Sequence, residues 1–274
     1  MNQVSYCGNE AVAEGLLLSL LSYREKSDEP LMVYLITADF TFLSPEFRPL
    51  QEKERALYEK ILQEKNSESR VILLDERALF LQEFASSPNL DTPYTPYSML
   101  RMLFDLEPRL PDHLVYLDAD TVVEKDPSTL FRIDLDGNDR AMVPDAVFSK
   151  VFDPHYCNSG VILFDLKAIR KDGLLKEGRH LLNTHKFTMP DQEALNRCQK
   201  EKILLLPRIY NEQRGLTEDT IIRHYCQQIR PLPLMHIEKS KPWDGERFLK
   251  GYPNEPHEEL LTLFAKKKKL LKSL

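Results

Sequence analysis

Short apolar runs alternate along this chain with longer stretches in which apolar positions recur every three or four residues. QVSYC (3–7) reads as a strand, and 10–23 as a helix with Ala13, Leu16, Leu17, Leu20 and Leu21 on one face. LMVYLIT (31–37) predicts a second strand, followed by a long charged helix from about 46 to 65. RVILL (70–74) predicts a third strand, ahead of a helix near 76–85, a Pro-containing turn and a helix at roughly 96–106. LVYL then runs directly into Asp118. Strands alternating with helices in this way predict an α/β domain with a mostly parallel central sheet covered on both faces. Beyond Asp120 the pattern is mixed: 141–145 and 156–166 read as strands, and 174–185 and 191–200 as helices. With no internal repeat, no low-complexity tract and only nine glycines, one continuous domain is expected over 1–250, followed by a basic tail over 251–274.

The composition, 42% hydrophobic and 29% charged, is that of a globular chain, and 274 residues suffice for one large core. A formal charge of −6 argues against nucleic acid as a partner, because phosphate backbones need a basic face. Cys7, Cys157, Cys198 and Cys226 are far apart and form no CxxC pair, which argues against a zinc cluster or disulfide framework. No signal-peptide pattern, no apolar run near the ~20 residues that span a bilayer, and no N-x-S/T site is present. A cytoplasmic location is the expectation. The basic residues crowd one end: from His257, Leu260, Leu263, Phe264, Leu270, Leu271 and Leu274 make a helical stripe. Lys266, Lys268, Lys269 and Lys272 lie mainly off it, and Lys267 interrupts it. Such a helix either packs on the domain or lies on an anionic membrane surface, which would place the protein at the inner face of the membrane.

Four segments carry candidate chemistry. In LDADTV, Asp118 and Asp120 lie two apart on extended backbone and so point the same way, at a strand end where open α/β sheets bind ligands. Two such carboxylates call for a cation between them, and a divalent metal ion could then grip a phosphate. In HYCNSGVILFDL, Asn158, Ser159 and Gly160 interrupt an apolar strand; a glycine there marks close approach of a backbone or ligand, or a β-bulge. In MPDQEALN, Asp191 and Gln192 open a helix, as a cap or as acceptor and donor for a polyhydroxylated ligand. In LPLMHIEKSKPW, His236 offers an imidazole that would complete a metal site, and a mixed nitrogen/oxygen shell suits Mn²⁺ better than Mg²⁺. Lys241 there is a point charge suited to phosphate.

The order of these pieces resembles glycosyltransferase family 8, which includes bacterial lipopolysaccharide galactosyltransferases, the general-stress-protein-A group and glycogenin. The pieces are an N-terminal strand and loop, an Arg on a helix before DxD, Asn-x-Gly in a strand, Asp-Gln on a helix, and His followed by Lys-Pro-Trp. The resemblance covers roughly 3–245. It implies a GT-A fold, a single nucleotide-diphosphosugar transferase-like domain, and a Mn²⁺-dependent retaining hexosyl transfer from a UDP-hexose to a glycan, glycolipid or glycoprotein acceptor. By motif it implies that Asp118, Asp120 and His236 bind the metal, with Mg²⁺ as the alternative ion. Asp118 and Ala119 would lie against the nucleotide, Arg101 near the donor sugar and phosphates, and Lys241 on the diphosphate. Asp145, Asn158, Asp191 and Gln192 would line the reacting sugar as the catalytic set. Tyr6, Cys7, Gly8 and Asn9 would surround uracil and ribose.

Two departures stand out: YCGNE carries no acid before Glu10, and HIEKSKPW lacks a Gly between His and KPW, with Lys241 five residues beyond His236. Two other functions compete. LDADTV also matches the haloacid-dehalogenase phosphatase motif, although three βα units precede it and no Asp-Asp pair follows. A non-catalytic sugar-nucleotide-binding protein would have no need of an intact Asp/Asp/His set. The chain distinguishes neither UDP-glucose from UDP-galactose nor one acceptor from another.

Overall fold

The computed structural model describes residues 1–90, 96–230, 236–255 and 257–273; for Ile229, Arg230 and His236 it describes the backbone alone. The strands are β1 (Asn2–Cys7), β2 (Leu31–Thr37), β3 (Arg70–Asp75), β4 (His113–Leu117), β5 (Thr121–Val123), β6 (Arg140–Pro144), β7 (Cys157–Asp165), β8 (Ile203–Leu205), β9 (Ile222–His224), β10 (Gln228–Arg230) and β11 (His236–Glu238). The helices are α1 (Ala13–Lys26), α2 (Glu52–Gln63), α3 (Arg77–Phe84), α4 (Ser128–Phe131), α5 (Phe148–Val151), α6 (Leu166–Asp172), α7 (Leu174–Thr184), α8 (Pro190–Arg197), α9 (Glu246–Gly251) and α10 (Glu258–Lys272). The expected strands stand where their apolar runs are. The helix expected over 46–65 begins only at Glu52, because Pro45 and Pro49 hold the preceding segment out of the helix. The stretch expected as a helix at 96–106 is a 3₁₀ helix, Pro96–Leu103.

Seven strands form one sheet in the order β3-β2-β1-β4-β7-β6-β8. β1, β2, β3 and β4 are parallel, and β7 runs antiparallel to both β4 and β6. Alternate residues feed two cores, one on each face. Val4, Val33, Leu35, Val115 and Leu117 join α1 and α2 on one side. Tyr34, Ile36, Tyr116, Ile162 and Phe164 join the 3₁₀ helix, α7 and α8 on the other. Helix α1 is buried on nearly every side, including Leu16, Leu17, Leu18, Leu20 and Leu21, a wider face than its expected stripe.

The reason is α10, which lies on α1 and α2. Phe264 is buried, Leu260, Leu261, Leu263 and Leu271 pack partly against the core, and Lys267 and Lys268 are ion-paired with Glu64 and Glu14. Lys266, Lys269, Lys272 and Leu270 are exposed, and Leu274 lies outside the described residues. Ahead of α10, Tyr252, Glu255 and His257 are buried against the body of the domain, with Glu255 ion-paired to the fully buried Arg223. Through Tyr252, Glu255, His257 and Phe264, the described residues after Gly251 pack against what precedes them. Among the described residues no helix is long and apolar enough to cross a membrane.

The chain leaves β1 toward β2 and β3, then returns to place β4 on the other side of β1. At such a reversal the connections diverge, and a crevice opens beyond the carboxyl ends of the two strands. Cys7 ends β1 and Asp118 follows β4, so both candidate segments meet there.

Candidate active site

A cavity of about 1070 Å³ opens at this switch point. It is lined by Cys7, Gly8, Asn9, Arg101, Asp118, Ala119, Asp120, Asp145, Asn158, Asp191, Gln192 and Lys241, so twelve residues singled out in the sequence come together. Tyr6 does not. It faces the opposite side of β1, 1% exposed, with its hydroxyl 2.9 Å from Ser19 Oγ. The expected contact of Tyr6 with the nucleotide is therefore corrected: alternation along the strand sends Cys7 toward the cavity side and Tyr6 into the α1 core.

The two aspartates are held differently. Asp118 Oδ1 accepts hydrogen bonds from Arg101 Nη2 at 2.9 Å and from the Tyr116 hydroxyl at 2.6 Å. Asp120 Oδ2 lies 2.5 Å from Lys241 Nζ, and its Oδ1 lies 3.1 Å from His224 Nε2. Burial opposes ionisation of Asp120, but Lys241 and His224 outweigh it and hold the carboxyl well below the usual range. Asp118 Oδ2 is 3.6 Å from the same His224 nitrogen.

His224 is the residue that sequence reasoning missed. The two-stranded ladder of β5 and β9 sets Thr121 opposite His224, and Tyr225 N donates to Asp120 O at 2.9 Å. His224 is 2% exposed, and its Nδ1 lies 3.0 Å from Asn211 Oδ1, which fixes the ring. Strands of three residues leave too short an apolar pattern to read. The available signal was Gly160: a Cβ there would lie 2.1 Å from His224 Cε1, so the imidazole is the close neighbour for which the strand carries a glycine. Donor atoms of Asp118, Asp120 and His224 all lie within 4.8 Å of one another, and two carboxylates with one imidazole fit a divalent transition-metal ion. His236 begins β11, its backbone paired with Arg230, and its side chain lies outside the described residues.

Arg101 is the cationic centre of the sugar-side wall. It is 3% exposed, stacks over Tyr116 at 4.0 Å, donates to Ser159 O at 2.6 Å, and lies 3.4 Å from Asp191 as well as on Asp118. Asp191 does not cap α8, whose N-cap is Met189 with no side-chain cap; Glu193 Oε1 accepts from Thr188 N and Met189 N, and Asp191 faces Arg101 and the Ser159 hydroxyl. Gln192 Oε1 accepts from Ser159 N at 3.0 Å. Asp145 Oδ1 accepts from Val147 N and Phe148 N, both at 2.9 Å, and so caps α5, while Asn158 Nδ2 approaches its other oxygen at 3.4 Å. The register of β6 against β7 shifts at Met142/Val143, opposite Asn158, so the bulge and the cavity share one segment.

Lys241 opens the Pro242–Asp244 3₁₀ turn, its backbone N–H held by Asp244 Oδ2 at 2.7 Å. The Trp243 ring occupies the space beside Gly15 of α1, where a Cβ would lie 2.7 Å from it. The Lys-Pro-Trp corner is thereby pinned to the helix that follows β1.

Comparison with known proteins agrees with this geometry. The lipopolysaccharide 1,2-glucosyltransferase of Escherichia coli K12 is 32% identical over 150 residues, 44% of this chain and 44% of that protein. The glycosyltransferase GlyF of Streptococcus pneumoniae is 26% identical over 160 residues, 56% of this chain and 39% of that one. The matches thus span less than half the length of these curated relatives. Among solved structures, the galactosyltransferase LgtC in complex with donor and acceptor sugar analogues superposes with a TM-score of 0.71 at 18% identity, covering 96% of this chain and 95% of that one. The shared fold is the GT-A fold, as expected from the sequence. The family model for glycosyl transferase family 8 matches residues 4–246, and the chain belongs to that family.

Proposed function

We propose that this protein is a retaining hexosyltransferase that moves glucose or galactose from a UDP-hexose to a hydroxyl of a glycan, glycolipid or glycoprotein. The observation that carries the reading is the Asp118/Asp120/His224 group at the switch-point cavity, with Lys241 and Arg101 beside it. Asp118, Asp120 and His224 would hold a divalent ion, Mn²⁺ in preference to Mg²⁺ because of the imidazole. Such an ion supplies positive charge to the diphosphate of the departing nucleotide. Cys7, Gly8 and Asn9 form the wall left for the base and ribose.

Retention needs either a carboxylate nucleophile or attack from the leaving-group face. Here Asp191 is committed to Arg101 and Ser159, one oxygen of Asp145 caps α5, and Gln192 is an amide tied to Ser159 N. These commitments favour same-face attack. The bond from the anomeric carbon to the UDP oxygen breaks, the acceptor oxygen bonds to that carbon, and the acceptor proton passes to the departing phosphate. Asp191 and Gln192 orient the sugar and stabilise positive charge at its anomeric carbon. Trapping a glycosyl-enzyme on Asp145 or Asp191 would overturn this route.

The test is UDP release from UDP-glucose and UDP-galactose, with and without Mn²⁺. Slow metal-dependent hydrolysis of one donor is expected, and no release from any UDP-hexose would refute the reading. A peripheral contact of the exposed Lys266, Lys269 and Lys272 with an anionic membrane belongs to the same proposal. Full-length protein should sediment with anionic liposomes at low salt, and the variant with Lys266→Gln, Lys269→Gln and Lys272→Gln should not.

A further inference from the structure

We propose that Lys241 is a resident cation that a divalent metal ion must displace from Asp120, so that metal and diphosphate binding are made cooperative. The inference rests on the reading of the cavity as a nucleotide-diphosphate-sugar site and adds to it a reason for the two ligands to bind as a pair. The Lys241 ammonium lies 2.5 Å from Asp120 Oδ2 and 2.7 Å from the Tyr225 carbonyl. The other oxygen of Asp120 faces His224. Both oxygens of this aspartate are thus engaged within the protein, one of them by a full positive charge.

An ion held among Asp118, Asp120 and His224 would share the Asp120 carboxylate with that ammonium. Like charges sharing one carboxylate in a partly buried site repel strongly. Arg101 is paired with Asp118 and Asp191, which leaves Asp120 as the carboxylate that Lys241 and an incoming dication would share. With metal alone, the ammonium stays beside the ion and the repulsion persists. With diphosphate present, the ammonium has a second anion to move to, and the metal gains full use of Asp120.

The backbone of Lys241 is ill placed to yield, being fixed by Asp244, the buried Pro242 and the Trp243–Gly15 contact. Its flexible four-carbon stem, carrying three rotatable donors, is the part that can redirect. The arrangement therefore penalises metal uptake by the nucleotide-free protein and releases that penalty when diphosphate arrives, which is positive coupling between two ligands.

The experiment is a titration of Mn²⁺ into the full-length protein, followed by electron paramagnetic resonance of the free ion, without nucleotide and with UDP. Without nucleotide, Lys241→Met is expected to bind Mn²⁺ about tenfold more tightly than the wild type, within the usual range of coupling between sites. UDP should sharpen Mn²⁺ binding strongly in the wild type and only weakly in the variant. Lys241→Arg, which keeps the charge, should keep the weak nucleotide-free binding, and Lys241→Gln carries the test if the methionine variant does not fold. Equal or weaker nucleotide-free binding in the charge-removing variants, with binding still lost in Asp120→Asn, would overturn the displacement and leave the site reading intact. Mn²⁺ binding that ignores Asp120→Asn would overturn both.

Discussion

Two carboxylate pairs in this protein met different fates. Asp118 and Asp120 follow β4, and each has its own cation: Arg101 at 2.9 Å for the first, Lys241 at 2.5 Å for the second. Glu76, just beyond β3, and Glu107 share a single guanidinium, that of the half-exposed Arg109. Arg109 Nε and Nη2 each reach Glu107 at 2.7 Å, but Nη2 reaches Glu76 only at 3.4 Å. Hydrogen bonds from Arg109 pull the Glu107 carboxyl down to about 2, whereas burial and the neighbouring Glu107 push Glu76 up to about 7. Burial and a shortage of positive charge act together on the second pair: its one guanidinium serves Glu107, and Glu76, buried beside that carboxylate, holds a proton more tightly than a free carboxyl.

The comparison breaks most visibly at the cation-rich pair. Asp120→Asn is expected to lower UDP release from the donor by about 10²–10³-fold, the scale of removing one preorganised electrostatic contact. His224→Ala should fall in the same range and should also weaken Mn²⁺ binding, whereas His236→Ala should do neither if His224 is the third ligand. Gly160→Ala sharpens the assignment, because its Cβ would press on the His224 ring and disturb metal binding without touching an acid. Glu76→Gln should leave donor hydrolysis at the wild-type rate. If it does not, the two pairs are not functionally separate.

Stability offers the next contrast. Arg101 is buried between Asp118 and Asp191, so Arg101→Ala leaves two carboxylates without their cation and is expected to cost about 3–5 kcal/mol in denaturant unfolding. The Arg109 side chain is 55% exposed, and Arg109→Ala is expected to cost about 1 kcal/mol or less. Similar losses for the two would mean that burial does not separate them.

What the sequence revealed follows from the length of its signals. Strands of five to nine residues such as β2 and β7 bury both faces, and their apolar runs were legible, although nothing in those runs told that β7 lies antiparallel to its neighbours. DxD and Arg101 were legible because one motif and one helix carry them. His224 was not, since it enters through a three-residue ladder with a partner a hundred residues earlier, and no local period encodes such a pairing. The packing of the tail was illegible for another reason. A lysine that meets Glu14 or Glu64 and one that meets solvent look alike in sequence, and only the burial of α1 beneath α10 tells them apart.

The finest test of the contrast is the pH dependence of stability. The Glu76 carboxyl is raised from its ordinary 4.5 to about 7, so its contribution is full below pH 4.5 and lost as pH rises through 7. Glu107, depressed to about 2, contributes above its ordinary value and loses that only as pH falls toward 2. Between pH 6 and 8 the wild type should therefore lose stability on account of Glu76 alone of this pair. Glu124 adds to the same slope: burial raises its carboxyl to about 7, and its Oε1 has no hydrogen-bond partner among the described residues. A glutamine at position 76 is neutral throughout, so Glu76→Gln should flatten the decline by about 1–2 kcal/mol at pH 8 relative to pH 6. Glu124→Gln should flatten the remainder, and the two effects should add because Glu76 sits among Glu107, Arg109 and Asp75 while Glu124 sits among Lys26, Glu255 and Arg223. Parallel stability curves for wild type and Glu76→Gln across that interval would show that the Glu76–Glu107 pair holds no proton, and the contrast with Asp118 and Asp120 would fail at its weaker end.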